Sequence, residues 1–468
     1  MFITIFDIFF ASMIFILFYA NKNETYKIRV LLFGSLVFYL YHEPILTPLL
    51  ICFTGLSFIA GNWLAKYIKY KKIILCIFLF ILFGCYYPLK YNDSFELILK
   101  NIFHFEGLRW LYLPLGLSFY TFKTMSYVMD IYYERSGPQI SFQKYLLYVS
   151  FFPQIFCGPI MRPDEFFLQL KFSDDYDHEN VFDGLRLIVL GMFKKIILAS
   201  NLSLLVREAY AKPLSISGFE WVVISIITRF YIYYDFSGYS DISNGVSLTF
   251  GIKVLKNFNR PFTAKSITDF WRRWHISLST WIRDYVYYPM VSKFSNYAGI
   301  YISLIVSFIF LGLWHGDKIN YILYGLINGL AVAISTYFAK KNRNSPPATK
   351  FKLIVSRISL YLFLIFLPSI LLMAHDSITL FQIIKSFTNL ESWFGLGYFS
   401  NQKIMFLAYL VIPPLSFGLL STIYGENLKK HFSVVGNTYR LVWLLLGIFI
   451  TFTLISPKVN YQFLYQGF

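Results

Sequence analysis

Charge is scarce in this chain: of 468 residues only 14% are Asp, Glu, Lys or Arg, and the acidic ones number 25. Soluble domains carry about a quarter charged residues, so an ordinary water-facing surface is excluded. Cysteine is equally sparse, and Cys52, Cys76, Cys85 and Cys157 lie within or beside apolar runs without paired spacing. That excludes a disulfide framework or a cysteine metal knuckle, and no metal site is expected. The chain also lacks a glycine-rich phosphate loop, a Gly-x-Ser-x-Gly elbow and any pair of histidines at zinc spacing. No internal repeat recurs at a fixed period, which counts against the duplicated architecture of many transporters.

What the chain has instead is apolar length. Hydrophobic residues make up 57% of it and aromatic residues 21%. A helix needs about 20 mainly apolar residues to cross the hydrocarbon layer, and roughly ten segments approach that length. The runs lack the two-residue alternation of barrel strands, and lipid leaves no other way to satisfy the backbone. An all-α polytopic membrane protein is therefore expected. The first segment, Phe2 to Ala20, has no basic residue before it, contains Asp7 and shows no small-x-small cleavage pattern, so it reads as a retained helix.

The formal charge of +17 would suggest nucleic acid in a soluble domain. Here the Lys and Arg cluster in short loops between apolar runs, which fits the positive-inside rule and attraction to anionic membrane lipid; no nucleic-acid partner is expected. Loops at Lys22, Lys27 and Arg29, at Lys66 to Lys72, at Lys340 to Lys352, and at Lys429, Lys430 and Arg440 are assigned to the cytoplasm. Counting crossings then places Asp93 to Arg109, His375 to Lys403 and both chain ends outside. The stretch from Val30 to Ala65, broken at His42-Glu43-Pro44, should form a hairpin, and Pro346-Pro347 reads as a joint between two helical bundles. The chain divides into N-terminal helices over 1–110, a core over 111–338 and C-terminal helices over 353–468. Between Phe151 and Trp314, polar and Pro/Gly-bearing segments interrupt the apolar runs at membrane depth, so the functional cavity should be built there.

Three segments could carry chemistry. From Ser266 to Tyr285 the chain opens with Ser266 and Asp269 three apart, a helix-start pattern, and is too charged to span. As a continuous helix near 267–288 it would set Phe270, Trp274, Leu278, Trp281 and Tyr285 on one face and Arg272, His275, Ser279 and Arg283 on another. Such a helix is either an interfacial anchor or a substrate-facing element. The second segment places His315 at the end of an apolar run, between Gly312 and Gly316. A histidine there is either bonded structurally to a carbonyl or a functional group facing protein or water. The third, Tyr231 to Asp241, sets Asp235 and Asp241 among aromatic residues, where a structural pairing competes with catalysis. His42, His104, His178, His375 and His431 lie near loops without a constellation.

Asn257-Phe258-Asn259-Arg260-Pro261-Phe262, Trp271-Arg272-Arg273-Trp274-His275-Ile276-Ser277 and Leu313-Trp314-His315-Gly316 occur here in an order that resembles the membrane-bound O-acyltransferases of the alginate O-acetyltransferase branch, which includes peptidoglycan O-acetyltransferases. The similarity extends to Leu113 to Phe119, Phe151-Phe152-Pro153-Gln154, Gly158-Pro159-Ile160 and Asp235 to Asp241, and so covers nearly the whole chain. Departures at Leu371 to Asp376 and Val291 to Lys293 fall outside these motifs and bear on the acceptor.

The resemblance implies roughly 10–12 transmembrane or re-entrant helices ringed around a central funnel. It implies catalytic roles for His315 and His275, and substrate contacts from Arg272, Trp314, Asp235 and Asp241. It also implies acetyl-CoA as donor with no bound cofactor, a polysaccharide acceptor outside the bacterial inner membrane, and an extracytoplasmic acetyltransferase partner. D-alanyl transfer to teichoic acid and transport without acyl chemistry are the alternatives.

Overall fold

The computed structural model describes residues 4–103, 113–172, 177–294, 296–342, 349–374, 376–389 and 393. Six helices among them are long and apolar enough to cross a membrane: Thr47–Lys66, Ile68–Lys90, His178–Ala211, Tyr297–His315, Ile319–Lys341 and Ile354–Met373. The described residues contain no strand, as the unbroken apolar runs predict. They fall into two compact units, one of Met1–Ile188 with Tyr239–Lys256, the other of Val189–Gly238 with Asn257–Phe468.

The first unit contains α1 (Ile5–Tyr19), α2 (Glu24–His42), α3 (Thr47–Lys66), α4 (Lys71–Lys90), α5 (Asn92–Phe103), α6 (Leu117–Tyr132), α7 (Phe142–Ser150), α8 (Pro163–Phe167) and the start of α9 (His178–Met192). The break at His42-Glu43-Pro44 ends α2 and lets α3 begin at Thr47, so the expected hairpin forms. Thr4 caps α1 reciprocally with Asp7, and the buried Asp7 carboxylate accepts from His42 Nε2 at 3.0 Å. A carboxylate in an apolar layer needs such partners. His42 therefore has a constellation that its position near a loop conceals. His178 opens α9, while His104, His375 and His431 lie outside the described residues.

The second unit contains the end of α9, a π-helical segment Phe193–Ala199, α10 (Ser200–Ala211), most of α11 (Gly218–Thr249), α12 (Ile267–Trp271), α13 (Ile276–Ile282), α14 (Tyr288–Lys293), α15 (Tyr297–His315), α16 (Ile319–Lys341), α17 (Lys350–Met373) and α18 (Ser377–Thr388). Helices α15 and α16 form a tight hairpin because small residues line their contact. A Cβ at Gly312 would lie 2.2 Å from the Tyr321 carbonyl oxygen, and one at Gly325 2.3 Å from that of Phe308. This close approach fixes the end of α15, where His315 sits. Both sides of the Pro346-Pro347 segment belong to this unit, and the segment itself lies outside the described residues, as do Lys429, Lys430 and Arg440.

The continuous helix expected from 267 to 288 is not observed. Ser266 does start a helix, its hydroxyl accepting from Asp269 N at 3.1 Å, but α12 stops at Trp271. His275 adopts a left-handed backbone at φ 42°, α13 begins after it, and a π-helical segment, Arg283–Tyr287, separates α13 from α14. Amphipathic spacing could not reveal this break, because the partners that hold it lie elsewhere in the chain.

Candidate active site

The break at His275 is held by the Asn257 to Phe262 segment. Asn257 accepts from Ile276 N through its carbonyl at 2.9 Å and from Ser277 N through its side chain at 3.2 Å, and Asn259 N donates to the Arg273 carbonyl at 2.9 Å. These three bonds clamp a left-handed residue, which costs about 1–2 kcal/mol for a side chain other than glycine. Asn257 is thus a positioning residue. Its only sequence signal was membership in a motif.

The clamp turns the His275 side chain inward, with 3% of the residue exposed. Its imidazole meets the Phe236 ring edge-on at 4.5 Å between centroids and the Trp314 indole at 6.0 Å. Among the described residues neither ring nitrogen of His275 has a hydrogen-bond partner. Burial lowers its pKa to about 3, so the ring is neutral at physiological pH. A neutral imidazole with open nitrogens can accept or donate one proton.

His315 is the last residue of α15, where the chain leaves the helix through Gly316. It is 4% exposed, its ring 4.7 Å from that of Trp314 and 5.5 Å from that of Tyr324. The Trp314 ring therefore neighbours both imidazoles. Arg229, 2% exposed, donates from Nε and Nη2 to the Leu364 carbonyl at 3.1 and 2.6 Å, with its guanidinium 5.5 Å from the Trp274 ring. Tyr324 and Arg229 look like ordinary helix content in the sequence, and Phe236 is visible there only as part of the Asp235 to Asp241 motif.

The other singled-out residues are distributed. Asp235 forms a buried ion pair with Lys195 of the π-helical segment. Asp241 belongs to the first unit and is half-buried. Arg273 bonds Asp269 through Nε at 2.8 Å, whereas the exposed Arg272 lines a cavity of about 490 Å³ together with Trp271, Arg283, Phe308 and Val332. Burial pushes the Asp269 carboxyl up, but the bonds from Arg273 and from Lys265 N outweigh it and hold its pKa below the usual value. Lys195 did carry a signal: with Lys194 it interrupts the apolar middle of a helical stretch, His178–Ala211, long enough to cross a membrane, where a buried charge must be paired.

Two buried histidines beside one indole, on a chain whose helices are long and apolar enough to cross a membrane, define the class as a polytopic membrane protein with imidazoles enclosed in an aromatic cluster. The chain belongs to the membrane-bound O-acyltransferase family, whose description "MBOAT, membrane-bound O-acyltransferase family" matches residues 135–375. It is 32% identical to a peptidoglycan O-acetyltransferase of Helicobacter pylori over 358 residues, 69% of this chain and 67% of the relative. It is 30% identical to the probable alginate O-acetylase AlgI of Pseudomonas aeruginosa over 344 residues, 68% of this chain and 62% of the relative. A teichoic acid D-alanyltransferase of Bacillus subtilis is 31% identical over 242 residues, 49% of this chain and 60% of the relative. The chain thus spans about two thirds of the length of these relatives. It is a multi-pass membrane protein of an acyltransferase family.

Proposed function

We propose that this chain passes an acetyl group from cytoplasmic acetyl-CoA to hydroxyls of a polysaccharide outside the bacterial inner membrane, directly or through an extracytoplasmic acetyltransferase partner. The observation that carries this reading is that one indole, Trp314, neighbours the rings of both His275 and His315, both histidines being buried. Similarity to O-acetyltransferases of peptidoglycan and alginate supports the acetyl group and the polymer. Family membership favours acyl chemistry over transport.

In the proposed reaction His315 takes the proton of an acceptor hydroxyl as its oxygen adds to the thioester carbonyl. The new C–O bond forms, the C–S bond breaks, and the sulfur leaves with the proton returned by the imidazolium. General-base help contributes about 10²- to 10⁴-fold, so orientation within the aromatic pocket and stabilisation of the oxyanion supply the remainder. His275, neutral and open at both nitrogens, is suited to donate a hydrogen bond to that oxyanion.

The test is label tracing. Purified protein in native-lipid vesicles receives radiolabelled acetyl-CoA on the cytoplasmic face, and the label is followed to peptidoglycan fragments, exopolysaccharide, partner protein or water. Transfer of label to polymer is expected. Transfer of D-alanine instead would place the chain with its teichoic-acid relatives.

A further inference from the structure

The cavity of about 490 Å³ in the second unit has neither His275 nor His315 on its wall. Its lining combines hydrogen-bond donors spread from Thr268 to Arg283 with mainly apolar side chains of α15 and α16. Arg272 and Arg283 are exposed, whereas Leu311 and Val332 are each 4% exposed, so the cavity runs from a charged rim to an apolar interior. Arg283 is paired with Asp284 at 2.8 Å. Asp269 acts on Arg272 only through longer-range charge attraction, its carboxylate being bonded to Arg273, and among the described residues the buried Trp271 Nε1–H has no acceptor. A buried donor left without an acceptor costs about 1–3 kcal/mol, so an occupant rich in acceptor oxygens fits this end. Leu304 and Phe308 of α15 and Val332 of α16 supply the opposite wall. Both helices are able to cross a membrane, and Ile302 and Ile334 on them are each 56% exposed.

We propose that this cavity binds an anionic phospholipid of the surrounding membrane, its phosphate held by Arg272 and the Trp271 indole and the start of an acyl chain lying against Leu304, Phe308 and Val332. The chemistry required is a phosphate joined to an apolar chain. Coenzyme A thioesters share the phosphate, but a thioester held here would lie on a wall that lacks both histidines. Membrane lipid meets the requirement and is present wherever α15 and α16 face the bilayer. Arginine at a membrane surface gains from anionic headgroups, and its guanidinium matches a phosphate bidentately. Arg272 then contacts lipid rather than a substrate of the reaction.

The experiment uses the purified full chain in a neutral detergent, with the thermal unfolding midpoint followed by tryptophan fluorescence. Dioctanoyl phosphatidylglycerol, dioctanoyl phosphatidylcholine and coenzyme A are titrated in separate arms. Phosphatidylglycerol should raise the midpoint saturably and phosphatidylcholine should not. Arg272→Gln should weaken the apparent affinity by about tenfold or more, the loss of one charge-assisted bond. Leu304→Trp, which narrows the apolar end with both arginines intact, should weaken it as well and decides the matter if Arg272→Gln does not fold. Equal responses to the two lipids, or a phosphatidylglycerol response unchanged in the variants, overturn the proposal. So does a response to coenzyme A alone that Arg272→Gln removes, which would return the cavity to the donor. Since binding is read rather than acetyl transfer, failure here leaves the proposed reaction standing.

Discussion

The imidazole of His275 and the indole of Trp314 lie 6.0 Å apart at an interplanar angle of 68°, which brings the residue before His315 against a histidine 39 positions earlier in the chain. That contact joins a charged, non-spanning segment to the end of a membrane helix. It exists because the backbone at His275 is left-handed and aims the ring inward.

His315→Ala should leave insertion and yield unchanged and remove acetyl transfer, a fall of at least about 10²-fold. The measurement is label transfer from acetyl-CoA by matched amounts of purified protein. Wild-type rates in correctly folded His315→Ala would end the assignment.

At position 275 the backbone and the side chain can be tested apart. His275→Gly and His275→Ala both lose the ring, but only glycine relieves the positive φ, so the glycine variant should be the more stable by about 1 kcal/mol. Equal unfolding midpoints for the two would show that the left-handed turn carries no strain. Both should transfer acetyl poorly, whereas a purely structural histidine predicts that activity follows stability.

Acid should destabilise the second unit. With its pKa lowered to about 3 by burial, folded His275 stays neutral while the unfolded chain takes up a proton near pH 6.5, so stability falls as pH drops from about 6.5 towards 3. Asp269, depressed chiefly by its bond to Arg273 against the opposing effect of burial, adds in the same direction as pH falls through its folded pKa. Unfolding midpoints across this range should flatten in His275→Gln. A midpoint that rises on acidification would contradict both assignments.

Removing one partner of the Lys195–Asp235 pair should cost more than removing both. Asp235→Asn takes away the carboxylate that neutralises a buried ammonium, a loss of about 3–5 kcal/mol, while Lys195→Met with Asp235→Leu restores an apolar contact and recovers much of it. Yield and thermal midpoint report the ordering. Because Phe236 follows Asp235 and packs on His275 at 4.5 Å, the KM for acetyl-CoA and kcat should also shift in Asp235→Asn protein that remains folded.

The sequence by itself determined the membrane class, since long apolar runs and scarce charge leave the backbone no structure but helices across lipid. It also located the start of α12 at Ser266, the hairpin break after His42 and the place of His315 at a helix end, because caps, breakers and run lengths are local signals. Tertiary structure alone decided that α12 stops at Trp271, that Asn257 clamps His275 and that Asp7 finds His42. It likewise turned Asp235 towards Lys195 and brought His275 to Trp314. Periodicity describes which face a residue occupies on its own helix, whereas these contacts depend on which other segment arrives there, and a buried hydrogen bond or ion pair between distant segments can override the local helical preference.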